Sequence, residues 1–257
     1  FALIGEVLFG DYNLIVNDEM LHSCTNYECY KGIYSSFNSM NMFEIAHSLN
    51  RQYGAEQWCL YRGKHLMNFV DNHDVTRIAS ILTNKNHLPL AYGVLFGMPG
   101  IPCIYYGSEW GEEGEKAPDN DYALRPCFEE PKPNELTDFI RKLIAVRRTS
   151  DALCNGYYKN VVITNHQLVF ERRTDHDRVL VAVNASDTPY TAGSGELQGE
   201  YTELLNTDIT EDIKSAAEST ETSENSDAPE TTASAEKISL QGQLQMPPYS
   251  VQYLRAV

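Results

Sequence analysis

The sequence has no run of apolar residues approaching the roughly 20 that a helix needs to cross a bilayer, which argues against a membrane-spanning chain. It has no excess of basic residues either. Lysine and arginine number 20 against 36 acidic residues, a formal net charge of −16, where a nucleic-acid binder would want a basic face. The six cysteines (Cys24, Cys29, Cys59, Cys103, Cys127 and Cys154) form no CxxC pair and have no paired histidines, so no zinc site is expected. A disulfide framework is unusual for a chain of 257 residues, so the cysteines point towards a reducing, cytoplasmic setting, with Cys103 expected as a small core residue. No signal peptide and no initiator methionine are visible. The chain opens at Phe1 on what reads as mid-strand, and is expected to be a piece of a longer protein.

Half of the net charge is local. Between Asp208 and Glu236 nine acids face Lys214 alone, in a stretch of Ser, Thr, Glu and Ala with no aromatic residue. Such a segment cannot bury enough apolar area to offset its ordering entropy, and it reads as a solvated, disordered insertion. The charge therefore says little about substrate.

What is present is an alternation of apolar strands and helical patterns over the first part of the chain, the mark of parallel βαβ units and an α/β fold. Strands are expected around Gly5, from Leu21 to Tyr27, from Leu66 to Val70 and from Ile101 to Tyr106. Helices are expected over Met42–Arg51, Val75–Leu82 and Leu88–Phe96. Another carries Leu136, Phe139, Ile140, Leu143 and Ile144 on one face, with Asn134 as N-cap. From about Gly156 the pattern turns to short β-rich runs, ending in Ser250–Leu254 after Pro247-Pro248, which predicts an antiparallel sheet. The division expected is residues 1–153 and 154–257.

The stretch Asn68-Phe69-Val70-Asp71-Asn72-His73-Asp74-Val75-Thr76-Arg77 stands out. A strand breaks into acid, amide, imidazole and acid, and so many polar groups at a strand end are costly unless they bind a ligand or one another. In parallel α/β proteins that end of a strand is where chemistry is done. Alternatively, Asp74 N-caps the next helix and His73 satisfies a backbone carbonyl. Upstream, Glu6 closes another apolar strand. Burial there would raise its pKa, whereas a Glu beyond a strand can equally point to solvent.

Gly5-Glu6-Val7, Phe69-Val70-Asp71-Asn72-His73-Asp74 and Gly100-Ile101-Pro102-Cys103-Ile104-Tyr105-Tyr106-Gly107-Ser108-Glu109 resemble, in order and spacing, the later motifs of the α-amylase superfamily of glycoside hydrolases. Thr25-Asn26-Tyr27-Glu28-Cys29-Tyr30-Lys31-Gly32 looks like that family's sixth barrel strand. The resemblance implies the second half of a TIM-type (β/α)8 barrel, strands five to eight, followed by an antiparallel β-sandwich. It implies Glu6 as general acid/base, Asp74 as the acid that stabilises the transition state, and His73 as a sugar ligand. Arg77 and Tyr106 are further candidates for substrate binding, and Tyr27 and Trp110 for stacking on sugars, although such residues also serve surface pairing and core packing. The implied substrate is an α-glucan or maltodextrin, and the implied partner is the missing N-terminal half of the barrel.

The departure matters most. The family's nucleophile is an Asp inside a Gly-x-Arg-x-Asp type motif on the fourth strand, and this sequence contains no such motif. Its first-motif Asn-His is also absent. No cofactor is expected in this chain, calcium being possible in the parent, and the fragment is expected to be inactive. A 4-α-glucanotransferase or a non-catalytic carbohydrate-binding module stays open beside the hydrolase.

Overall fold

The computed structural model describes residues 1–208 and 237–257. All but the first residue of the acidic stretch expected to be a disordered insertion lies outside the described residues. Four short parallel strands come first. β1 (Ile4–Gly5) pairs with β2 (Ser23–Cys24), Thr25 bridges to Met67, and β3 (Met67–Asn68) pairs with β4 (Ile101–Pro102). The resulting order, β1-β2-β3-β4, is half of a (β/α)8 barrel. The sequence pattern suggests longer strands, but regular pairing stops after two residues because the polar strand ends turn away into loops.

The helices follow the strands. α1 (Tyr27–Asn38) starts directly after β2, because the Asn26 side chain accepts from the Cys29 amide as its N-cap. The block Thr25–Gly32 is therefore helical from Tyr27 on, a correction to its reading as a strand. Its buried residues Cys29, Tyr30, Ile33 and Phe37 have helical spacing. Asn26 is fully buried, and its Nδ2 donates to Gln52 Oε1 and to Asn68 Oδ1, each at 2.8 Å. Asn68 in turn donates to the Pro99 carbonyl at 2.7 Å, so a ladder of buried amides ties β2, β3 and the entry to β4 together. α2 spans Phe43–Tyr53 and α3 only Ile78–Ile81. The helix expected from Val75 starts late because Asp71 Oδ2 holds the Ile78 amide at 2.8 Å, fixing the first helical residue there.

α4 (His87–Gly97) is apolar on every side, and every one of its residues except Leu88 and Pro89 is buried. Two glycines let other elements lie directly on it. A Cβ on Gly93 would stand 2.6 Å from a Val251 methyl, and one on Gly97 would stand 2.9 Å from the Phe170 ring. α5 (Glu135–Arg148) carries the expected stripe, and its cap is a reciprocal pair between Asn134 and Thr137. A short α6 (Asp151–Asn155), which the sequence pattern did not suggest, follows.

The antiparallel part is one six-stranded sheet of β5 (Tyr157–Ile163), β6 (Gln167–Arg173), β7 (Arg178–Asn184), β8 (Tyr190–Asp208), β9 (Lys237–Met246) and β10 (Ser250–Ala256), in the order β5-β6-β7-β10-β8-β9. Both faces of β7 are apolar. Val179, Val181 and Val183 join Phe170, Val251 and Tyr253 in the core shared with the helices, while Leu180 and Ala182 pack with Leu197, Tyr201, Leu240 and Leu244. The sheet curls, with β8 and β9 supplying the second layer of the sandwich. Tyr253 Oη donates to the Gly93 carbonyl at 2.6 Å, locking sheet to helix. All six cysteines are unpaired, Cys24 and Cys29 are buried, and Cys103 is half-buried. Among the described residues no helix is long and apolar enough to cross a membrane.

Among the described residues neither β1 nor β4 has a second partner strand, and both edges are apolar: Ile4 is 47% and Ile101 42% exposed, with Phe1, Leu3, Leu8 and Phe9 exposed beside β1. Open apolar edges are templates for pairing. The chain by itself is expected to self-associate, and sedimentation velocity checks this; a stable, cooperatively unfolding monomer would contradict it.

Candidate active site

Glu6 and the pair His73-Asp74 leave the carboxyl ends of β1 and β3, with β2 between them. Parallel strands aim those ends the same way, and the three side chains converge. One carboxylate oxygen of Glu6, one ring nitrogen of His73 and one carboxylate oxygen of Asp74 all lie within 4.8 Å of one another. His73 Nε2 is 3.4 Å from Asp74 Oδ2.

Neighbouring groups hold each of them. Tyr27 Oη donates to Glu6 Oε1 at 3.1 Å and accepts from Asn72 Nδ2 at 3.0 Å. Burial, and the bond it donates to Glu6, raise the Tyr27 pKa, so the phenol keeps its proton and remains a donor. Asn72 Oδ1 also accepts the Asp74 amide at 2.8 Å, closing the turn that presents the carboxylate. From the loop after β4, Arg125 reaches back to Asp74 Oδ1 at 2.9 Å and to the His73 carbonyl at 3.3 Å. Glu6 itself is exposed, which agrees with the solvent-facing alternative for a Glu beyond a strand and not with burial.

A buried ionic cluster lies beneath. Ser108 Oγ donates to the Asp71 carboxylate at 2.8 Å, and Arg77 donates to Ser108 Oγ at 3.1 Å, to the Tyr106 carbonyl at 2.8 Å and to the Leu124 carbonyl at 2.9 Å. Arg77 is fully buried and bonded to protein groups, which removes it from the sugar ligands: the guanidinium braces the loops instead. The motif therefore splits. Asp71 faces inward and fixes the start of α3, while Asn72, His73 and Asp74 face outward.

Tyr106 is 44% exposed, but its hydroxyl is tied to the Pro126 carbonyl at 2.9 Å. Its neighbour Tyr105, not singled out from sequence, lies nearer the acids, with its ring 6.4 Å from His73 and over the Arg77 guanidinium at 4.6 Å. The rings continue through Tyr106 and Phe128 to Trp110, which is thus remote from His73. Arg125 and Tyr105 escaped sequence reasoning because a loop without periodicity carries the first, and the second reads as one more residue of an apolar strand.

As metal ligands, Glu6, His73 and Asp74 mix an imidazole nitrogen with carboxylates, unlike the all-oxygen shell of calcium. Arg125 already supplies a positive charge at Asp74. Two carboxyls at this separation, at one end of the strands, suit proton delivery and charge stabilisation at a glycosidic bond.

The family model for the α-amylase catalytic domain matches residues 19–151, more than half of the chain, and that for the α-amylase C-terminal all-β domain matches residues 160–257. The chain belongs to the α-amylase family. Cyclomaltodextrin glucanotransferases of Niallia circulans and Geobacillus stearothermophilus are 33% and 31% identical to it over 141 residues, 53% of this chain and 19% of each relative. Among solved structures, the α-amylase of Geobacillus thermoleovorans complexed with acarbose superposes with a TM-score of 0.74 at 17% identity, covering 99% of this chain and 53% of that one. An Anoxybacillus α-amylase gives 0.70 at 20% identity, with 99% and 52% covered. The chain thus spans about a fifth of these curated relatives and about half of the solved family members.

Two outcomes are expected of the buried cluster in this α-amylase-family chain. Arg77→Met leaves the Tyr106 and Leu124 carbonyls without their donor and Asp71 without a nearby positive charge, and should cost about 3–5 kcal/mol in urea unfolding, whereas Arg125→Gln, at a half-exposed pair, should cost under about 1 kcal/mol. Burial raises the Asp71 carboxyl above its ordinary value against the lowering effect of Ile78, Ser108 and Arg77. The stability contributed by its protonated form is present below the ordinary carboxylate pKa and is lost as pH rises through the raised native value. Unfolding free energies measured against pH should show that falling slope in the parent chain and not in Asp71→Asn.

Proposed function

We propose that this chain is the second half of the catalytic barrel, with its following β-domain, of a retaining enzyme acting on α-glucans or maltodextrins. The observation that carries the proposal is the convergence of Glu6, His73 and Asp74 at the carboxyl ends of parallel strands. Glu6 is the acid/base that protonates the leaving oxygen and later activates water, with the Tyr27 hydroxyl orienting its carboxylate. Asp74, aligned by Arg125, holds the sugar hydroxyls and faces the developing positive charge. His73 donates to the same sugar unit, and Tyr105 and Tyr106 form an aromatic wall beside it. The nucleophile comes from the missing half, which pairs with the open edges of β1 and β4 and closes the barrel.

Curated relatives that match half of this chain include cyclomaltodextrin glucanotransferases, which favours a second reading: a transferase using the same groups, with a sugar in place of water as acceptor. Calcium is proposed only for the parent's other half. A reducing compartment suits six unpaired cysteines.

The test is reducing-sugar release from maltodextrin. The chain alone should give none, the chain with the N-terminal half added should give turnover, and Glu6→Gln should lower the restored rate about 10²–10⁴-fold. Robust turnover by the chain alone would overturn the reading. Chromatography of the products separates hydrolysis, which shortens chains, from transfer, which lengthens or cyclises them.

A further inference from the structure

At the other end of the strands, before β3 and β4, a cavity of about 350 Å³ lies in the joint between the barrel half and the sheet. Its charge is opposite to that of the molecule. Arg62, Lys64 and Arg172 line it, with Asp175 as the acid on its wall, in a chain of net charge −16. Arg172 is the buried member, 1% exposed. It donates to the Gly97 carbonyl at 2.7 Å and to the Gly156 carbonyl at 2.9 and 3.3 Å, which engages three of the five N–H groups of a guanidinium. Among the described residues no carboxylate neutralises it. Burial, and then the neighbouring Arg147, push its pKa down to about 9. Arg147 is likewise buried and bonded only to the carbonyls of Phe96, Met98 and Gly100. Two buried guanidinium groups side by side without a counter-charge are costly, and an anion in the adjoining cavity would lower that cost.

At the mouth, Arg62 spends one terminal nitrogen on the Gly54 and Glu56 carbonyls, and Lys64 donates to the Val16 carbonyl. Those bonds fix both side chains beside the opening and leave further N–H groups of each unassigned. The volume lies at the small end of ligand pockets, above what a bare ion requires. We propose that this cavity binds a phosphate group, free or carried on a small metabolite, with Arg172 at its floor and Arg62 and Lys64 at its mouth. The fork of Arg172 suits two phosphate oxygens, and Lys64 acts as a point charge. The site lies at the end of the strands away from Glu6 and Asp74, and is independent of the glycosidic reading.

Equilibrium dialysis of the whole chain against radiolabelled inorganic phosphate tests this, whatever its state of association, with sodium chloride holding the ionic strength constant. Saturable binding of one phosphate per chain is expected, at least tenfold weaker in the Arg62→Gln/Lys64→Gln double variant, in which Arg62 is exposed and Lys64 half-buried, and whose fold circular dichroism checks. Glucose 6-phosphate competing at least tenfold better than phosphate assigns the site to a sugar ester. Weaker or equal competition assigns it to the free ion. The proposal is overturned if no saturable binding occurs, if chloride abolishes it in step with ionic strength alone, or if the double variant binds as the parent does.

Discussion

The buried Arg77 guanidinium is the constraint on which the candidate site depends. It collects the Tyr106 carbonyl, Ser108 and the Leu124 carbonyl, and through Ser108 it reaches Asp71, so that the loops leaving β3 and β4 share one charged anchor. A buried charge of this kind tolerates little displacement, because every lost bond leaves a desolvated group unpaired. Above the anchor, the same loops present His73, Asp74, Tyr105 and Arg125. Their positions follow from the buried layer beneath them, where the Arg77 guanidinium lies 4.6 Å from the Tyr105 ring.

A second constraint is the all-apolar helix α4. It is packed on the sheet at Gly93 and Gly97, and it is bonded to it through Tyr253. Two arginines complete the joint from either side: Arg172 of β6 donates to the Gly97 carbonyl that ends α4, and Arg147 of α5 donates to the Phe96 and Met98 carbonyls on either side of it. The antiparallel sheet thus supports the back of the barrel half, while the front edges of β1 and β4 stay open.

Much of this was legible in the sequence, but unevenly. The Leu136–Ile144 stripe and its Asn134 cap gave a helix because its signals are local. The strands of the half-barrel were legible from apolar runs, though not their brevity, since pairing is ended by polar side chains that bond across loops. Tyr27 to Gly32 was misread as a strand because a motif resemblance outweighed the helical spacing of Cys29, Tyr30, Ile33 and Phe37. Arg77, one turn into an expected helix, looked like a site cation; only the packing of Ser108 and the Leu124 carbonyl around it makes it an internal brace.

By itself the sequence pointed to Glu6, His73 and Asp74 as candidate site residues and to the strands of the barrel half, because apolar periodicity and the run from Asp71 to Asp74 are local properties of the chain. The tertiary structure alone decided which polar residues of that run face the cleft and which face the core. Asp71 and Asp74 are three residues apart and chemically identical; one is buried under Ser108 and the other is held out to Arg125. That difference arises from groups about 30 to 50 residues away in the chain, and no local pattern encodes it.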